Sequence, residues 1–273
     1  MHHPTHCLNC EHHLTAADNF CCNCGQPANT HPRITLHHIN HEVLHAVTHA
    51  DKGFFFLVKE LATQPGAMIK EYLAGKHKKF YSPFSFFFVI LGIYVISNTF
   101  FKPFRADMDV VKNGLMVTYP AGVKTESQKL KYNKIKARSD KMMNFMNTKT
   151  NIVLCISTPF IAFLMFILFH KKLFYAEHLV AVTFINSFLN LLSIFIFTPL
   201  MHFSNSVTMY HAVTILMLLA HIIYVSIVYH SVLSLPASAK GYIKSFGAAV
   251  FAIGGWMIIS YLFIFAYSVY GIL

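Results

Sequence analysis

Long apolar runs alternate with short polar segments along most of the chain. Five runs are long enough to cross a bilayer as a helix, which takes about 20 residues. Asn186, Asn190 and His221 interrupt two of these runs without ending them. The pattern predicts an all-α polytopic membrane protein with about five transmembrane helices. The predicted spans are residues 82–101, 151–169, 178–200, 211–233 and 246–270.

Lysines beside the apolar runs predict how the chain crosses the membrane. The loops at 170–178 and 234–245 each hold two lysines, whereas the loop at 201–210 holds neither lysine nor arginine. Short loops rich in lysine and arginine stay in the cytoplasm. We therefore expect a cytoplasmic N-terminus, an external C-terminus and an external loop at 102–150. That loop holds eleven Lys or Arg residues, but the rule is weaker for long loops.

The composition agrees with a membrane protein. The chain is 55% hydrophobic and only 12% charged, against about 25% charged residues in soluble domains. The net charge is +11. We expect the basic residues to contact the lipid bilayer, because its anionic headgroups attract lysines near the membrane surface. No specific nucleic acid is expected as a partner.

Five of the six cysteines cluster in the segment "CLNCEHHLTAADNFCCNC" at 7–24. Two Cys-x2-Cys pairs separated by ten residues can place four thiolates around one structural zinc ion. Gly25 follows the second pair, where a left-handed turn costs glycine little. We expect Cys22 to be a neighbour, while nearby histidines offer substitute ligands and a reduced, disordered tail is the alternative. The predicted ligands are Cys7, Cys10, Cys21 and Cys24.

Residues 34–50 predict an amphipathic helix with histidines on one face. At about 100° per residue, four histidines share one side and apolar residues cover the other. The simplest interpretation is a solvated polar face. Histidines four residues apart can also chelate a metal ion, and clustered imidazoles titrate near neutral pH. The candidates for a second metal site or a pH sensor are His38, His41, His45 and His49.

The segment at 52–87 predicts two short helices that lead into the first span. An apolar helix covers 54–61, Pro65 suits the first position of the next helix, and Gly75 suits its end. A lysine cluster follows immediately. Its members are predicted to contact lipid headgroups, with an anion or lipid-phosphate site as the alternative. They are Lys76, Lys78 and Lys79.

The segments "DKGF…L…QPG..I.EYL.GK….Y.PF" from residue 51, "CCNCGQ" at 21–26 and "YAEHLV" at 175–180 resemble an uncharacterised bacterial family. That family comprises zinc-ribbon, multi-pass membrane proteins with a domain of unknown function. The resemblance covers the N-terminal half well and the later spans loosely. It implies a ribbon and a membrane bundle but no chemistry. The family usually has arginine where this chain has His77, so the resemblance does not extend to a guanidinium at the lysine cluster.

These observations divide the chain into a zinc ribbon at 1–30, cytoplasmic or interfacial amphipathic helices at 31–80, and a transmembrane bundle at 81–273. Ionisable and amide side chains inside spans are costly and count as functional candidates. Interhelical hydrogen bonding is their structural explanation, and a polar path or small cavity is the functional one. The intramembrane candidates are Glu177, His178, Asn186, Asn190 and His221.

The sequence favours a non-enzymatic module in a bacterial inner membrane. In this interpretation the ribbon recruits an unknown protein partner, and the bundle handles a small molecule, an ion or a lipid. The alternative is a membrane-embedded lipid-modifying enzyme that uses the Glu177/His178 region and the histidine helix. A homo-oligomer is compatible with either function.

Overall fold

The computed structural model describes residues 5–15, 17–28, 53–103, 125–204 and 206–270. Within these ranges the chain is helical, without β-strands beyond two isolated bridges near the N-terminus. A π-helical segment covers Ser193–Phe197. The helices are α1 (Phe54–Thr63), α2 (Pro65–Leu73), α3 (Pro83–Phe101), α4 (Glu126–Thr148), α5 (Thr150–Phe169), α6 (Tyr175–Leu192), α7 (Thr198–His202), α8 (Val207–Val232) and α9 (Ala239–Tyr270).

Among the described residues, five helical segments are long and apolar enough to cross a membrane, which confirms the predicted fold class. They indicate a multi-pass membrane protein. The fifth begins at Ala239, before the predicted boundary, and carries Lys240 and Lys244 in its first turns. Lysine stems can lie along apolar surface while the ammonium reaches the headgroups. The five spans are α3, α5, α6 continued through α7, α8 and α9.

The outer face of α8 is apolar and exposed, as a lipid-facing helix requires. Ile215, Leu219, Ile223 and Ile227 follow each other at four-residue steps and are all exposed. Residues four apart lie on the same side of a helix. An uninterrupted apolar stripe of this kind would be costly in water, so hydrocarbon is the solvent that suits it.

The short helices α1 and α2 pack into one end of the bundle. Leu57 and Leu61 of α1 are completely buried, and the Tyr224 hydroxyl of α8 donates a hydrogen bond to the Leu61 carbonyl at 2.8 Å. Gly66 of α2 approaches α8 so closely that a Cβ atom there would lie 2.2 Å from the Cβ of Ser231. Only glycine permits this approach, which fixes α2 against the end of α8.

Contacts between loops show that the spans alternate in direction. Beside α1 and α2, the Lys172 ammonium of the α5–α6 loop donates to the Leu233 carbonyl of the α8–α9 loop at 2.8 Å. At the other end of the bundle, the Tyr210 hydroxyl donates to the Pro103 carbonyl at 3.3 Å. The two lysine-bearing loops and α1–α2 therefore share one side of the bundle. The α7–α8 connection lies on the other.

The segment "TESQKLKYNKIKARSDKMMNFM" at 125–146 predicts a helix before the second span, and the polar helix α4 confirms it. It begins with a capping box, in which the Gln128 backbone N–H donates to the Thr125 hydroxyl and the Gln128 side chain accepts from the Thr125 N–H. Lys149 makes a one-residue break before α5. The Arg138 guanidinium donates to the Val269 carbonyl at 3.2 Å, which ties α4 to the end of α9. The segment "LMVTYPAGVK" at 115–124, whose pattern predicts a short strand and a turn, lies outside the described residues.

Candidate functional site

The N-terminal head, defined here as residues 5–15 and 17–28, is built from two equivalent turns. The Cys7 carbonyl accepts the Glu11 N–H at 2.9 Å, and the Cys21 carbonyl accepts the Gly25 N–H at 2.8 Å. The last residue of each turn has a positive φ, 61° at Glu11 and 71° at Gly25. The left-handed conformation predicted at Gly25 is confirmed. Its counterpart at Glu11 was not predicted, because glutamate gives no sequence signal for it.

The two turns bring four cysteine sulfurs together. The Sγ atoms of Cys7 and Cys24 are 3.6 Å apart, those of Cys10 and Cys21 are 3.5 Å apart, and all four lie within 4.8 Å of one another. A tetrahedral site with metal–sulfur bonds of about 2.3 Å has sulfur–sulfur edges of about 3.8 Å. The four cysteines are thus close enough, and suitably arranged, to hold one metal ion.

The thiols of this cluster lie in different electrostatic surroundings. The backbone N–H of His12 lowers the pKa of Cys10 to about 6, because it stabilises the thiolate. Burial raises the pKa of Cys24, because a charged thiolate is less stable away from water. A bound cation offsets that cost and the repulsion among neighbouring thiolates. The cluster therefore suits a metal better than four free thiols.

The other candidate ligands of the head lie outside the cluster. Cys22 is exposed, and its Sγ lies 3.2 Å from Nε2 of His12. The rings of His6 and His13 meet edge to face, with centroids 5.4 Å apart. Within the described part of the chain, these four cysteines form a group that could hold a metal ion, and no histidine belongs to that group.

The head is fixed to the membrane bundle by the side chain of Gln26. Its amide nitrogen donates to the Gly75 carbonyl at 2.9 Å, and its amide oxygen accepts the Lys78 N–H at 3.4 Å. Gln26 is only 1% exposed, so both hydrogen bonds are shielded from water. Sequence reasoning did not identify this residue, because its partners are about fifty positions away in the chain.

A second set of contacts completes this attachment. The Asn9 side-chain oxygen accepts the Lys79 N–H at 3.1 Å. Gly75 has a φ of 98°, and a Cβ there would lie 2.9 Å from Cδ1 of Leu8. Glycine is therefore required both by its backbone conformation and by the closeness of the head. We refer to residues 75–79 as the docking loop; it connects α2 to the segment that enters the first span.

The predicted lysine cluster lies on the docking loop. The Lys79 ammonium donates to the Glu71 carboxylate, and the Lys76 ammonium lies 4.0 Å from the same group. The hydrogen bond from Lys79 is the main reason that the pKa of Glu71 is lowered. Two of the three lysines thus share one carboxylate, while Lys78 is exposed. Headgroup contact by these three lysines stays a prediction.

Glu177 and His178 make contacts that stabilise the bundle. The Glu177 carboxylate accepts the Phe174 N–H at 2.8 Å, which satisfies a backbone donor at the start of α6. His178 is completely buried, with Nδ1 3.1 Å from the Tyr229 hydroxyl of α8. Their rings stack nearly parallel, with centroids 5.7 Å apart. Neither residue lines the cavity described next.

The other three intramembrane candidates line one cavity. It has a volume of about 150 Å³ and lies between α5, α6, α8 and α9. Asn186 and Asn190 contribute from α6 and His221 from α8. Sequence reasoning missed two further wall residues, Tyr229 and Trp256, because aromatic side chains in an apolar span resemble ordinary core residues.

The predicted histidine helix lies outside the described residues. This applies to all four candidates for a second metal site or a pH sensor. They are His38, His41, His45 and His49.

Comparison with known proteins gives a match in the segment that the head contacts. A family model described as "Protein of unknown function (DUF3667)" matches residues 51–95. This region contains α1, α2, the docking loop and much of α3. No curated protein and no solved structure matches the sequence. The match thus covers the docking loop but not the four cysteines.

Proposed function

We propose that this chain is a non-enzymatic, multi-pass protein of a bacterial inner membrane, with its N-terminus in the cytoplasm. Its zinc-binding head recruits a protein partner, and its bundle handles a small molecule. The observation that carries this proposal is the attachment of the head through Gln26 to the docking loop. A partner held by the head would be held at a fixed position above the first span.

Zinc is the metal that we assign to the head. A tetrahedral set of four sulfurs suits zinc, and a segment this short needs a metal to fold. Thiolates stay reduced in the cytoplasm, which agrees with the lysine-rich loops on the same side of the bundle. Elemental analysis of the purified full chain should give one zinc per molecule, and Cys10→Ser with Cys21→Ser should lose it. Retention of zinc by that double variant would contradict the assignment.

The partner surface that we propose includes Phe20. Its side chain is 62% exposed on the head, and it takes no part in the hydrogen bonds to the docking loop. Large aromatic side chains are enriched at protein interfaces. An exposed phenylalanine on a small, metal-stabilised unit is a suitable anchor for a second protein.

A lipid-modifying enzyme is less well supported by the contacts of its proposed catalytic residues. The Glu177 carboxylate is hydrogen-bonded to the backbone at the start of α6. The His178 ring is packed between helices and fully buried. A general base must reach the proton that it removes, and these side chains are held by structural contacts.

Co-purification with quantitative mass spectrometry tests recruitment. The full chain is isolated from its native membranes after cross-linking, alongside Phe20→Ser and the control Leu130→Ser. Leu130 is also a large exposed apolar residue, at 59%, but it lies on α4. We expect a specific protein to be enriched with the unmodified chain and with Leu130→Ser, and lost with Phe20→Ser at unchanged zinc content. Identical protein profiles for all three would overturn the proposal.

A further inference from the structure

The cavity between α5, α6, α8 and α9 lies well inside the spans. Ser157 of α5, Asn186 and Asn190 of α6 and His221 of α8 line it, and each lies away from both ends of its membrane span. No lysine, arginine, aspartate or glutamate lines it. Because a charged molecule would be left unpaired at this depth, the cavity suits an uncharged one.

The Asn190 amide is the first sign of a missing binding partner. The residue is 8% exposed and lines the cavity. Its side chain makes no hydrogen bond within the described part of the chain. An amide in an apolar environment without hydrogen bonds is destabilising. A ligand that accepts from, or donates to, this amide would remove that cost.

His221 offers an acceptor to the same cavity. Its Nδ1 lies 2.7 Å from the Met217 carbonyl, and a carbonyl can only accept. Nδ1 therefore carries the proton in the neutral ring, and Nε2 is left with a free lone pair. Asn186 donates to the Thr158 hydroxyl at 3.1 Å through its nitrogen, which leaves its carbonyl oxygen as another acceptor. The cavity thus offers both donors and acceptors.

Several apolar residues that line the cavity are also partly exposed at the surface of the bundle. Leu154 and Ile161 of α5, and Ile253 and Trp256 of α9, are only partly buried although they line the cavity. A ligand could enter sideways between α5 and α9 and leave an apolar tail in the bilayer. A volume of about 150 Å³ accommodates a molecule of about benzene size in an apolar core.

We propose that this cavity binds the head of an uncharged, lipid-soluble molecule with a single ring that carries hydrogen-bonding oxygens, as a quinone or quinol does. Asn190 donates to one ring oxygen, His221 accepts from a ring hydroxyl where one is present, and Trp256 packs against the ring. This inference rests on the small-molecule part of the proposed function and names its chemical class. It does not depend on the partner of the head.

Trp256 provides a direct measurement, since it is the single tryptophan of the chain. A short-chain benzoquinone is titrated into the purified, zinc-loaded full chain in detergent, and tryptophan fluorescence is recorded. We expect saturable quenching with one affinity. Asn190→Leu should weaken that affinity by about tenfold, because a buried hydrogen bond of about 1.4 kcal/mol is lost. Ser187→Ala is the matched control: it removes a buried hydroxyl from α6 that does not line the cavity.

A second variant distinguishes loss of the binding site from misfolding. His221→Leu should weaken binding of the corresponding quinol more than binding of the quinone, because only the quinol donates to Nε2. Neither variant should melt at a lower temperature than the Ser187→Ala control. Quenching that rises linearly without saturation, or equal affinities in Asn190→Leu and Ser187→Ala, would overturn the site. Phe20→Ser should bind the quinone normally, so failure of the partner proposal and failure of this one can be told apart.

Discussion

At the scale of single residues, the two cysteine-bearing turns differ in one respect that can be tested. Gly25 adopts its positive φ without strain, whereas Glu11 adopts the same conformation with a side chain. The left-handed conformation costs a residue with a Cβ atom about 1–2 kcal/mol. Glycine avoids this cost, but its more flexible unfolded state offsets part of the resulting gain in stability. We expect Glu11→Gly to stabilise the metal-bound head by about 1 kcal/mol.

The reverse substitution in the other turn serves as its control. Gly25→Ala should destabilise the head by about the same 1–2 kcal/mol. Competition with a chelator of known zinc affinity measures both changes on the full chain. Tighter zinc binding by Glu11→Gly and weaker binding by Gly25→Ala are expected. Weaker binding by both variants would mean that the Glu11 side chain contributes more than its backbone strain costs.

Gln26 is the residue on which the attachment of the head depends most. Replacement by leucine removes both hydrogen bonds from this side chain to the docking loop, although the Gly75 carbonyl keeps the His77 N–H at 2.9 Å. Each hydrogen bond lost costs about 0.5–1.5 kcal/mol. We expect Gln26→Leu to release the head, seen as faster proteolytic cleavage between the head and α1, while zinc content stays the same. Asn19→Ala, which removes an exposed amide of the head, should be cleaved at the original rate.

At the scale of helices, the apolar runs were sufficient to predict the spans, because hydropathy over about twenty residues decides whether a helix can cross a bilayer. The packing of α1 and α2 could not be predicted in this way. Their burial depends on a close approach between Gly66 and Ser231, which lie far apart in sequence. Likewise, Asn186 and His221 could be recognised as unusual residues, but only the packing of α6 against α8 places them in one cavity.

The contact between α2 and α8 makes a prediction at this scale. Gly66→Ala would place a Cβ 2.2 Å from the Cβ of Ser231 and 2.4 Å from its hydroxyl oxygen. Forcing an extra methyl into a packed interface costs about 1–3 kcal/mol. We expect a lower melting temperature for Gly66→Ala in detergent. Ser231→Gly in the same chain should restore much of the loss, because it removes both clashing atoms.

A double-mutant cycle decides whether the effect is local. If the contact is as close as the structure shows, the two substitutions together should cost clearly less than the sum of their separate costs. Additive losses would indicate that Gly66→Ala acts elsewhere, for example on the conformation of α2 itself.

At the scale of the whole molecule, the arrangement of the loops tests the proposed orientation. The head, the α5–α6 loop and the α8–α9 loop lie on one side of the bundle, and the α7–α8 connection lies on the other. Lysine and arginine keep short loops in the cytoplasm. The α5–α6 and α8–α9 loops are the ones that carry lysines. We therefore expect the head to face the cytoplasm, where its thiolates can stay bound to zinc.

Cysteine accessibility measures this orientation directly. Phe203→Cys and Ala237→Cys each place a thiol at an exposed position, on opposite sides of the bundle. Both are made in a chain that carries Cys22→Ser and Cys155→Ala, so that unliganded native thiols do not react. In spheroplasts, a membrane-impermeant maleimide should label Phe203→Cys and spare Ala237→Cys until the membrane is opened. The opposite pattern would place the four cysteines on the oxidising side, where disulfides would be expected instead of a metal site, and would remove the basis for a cytoplasmic partner.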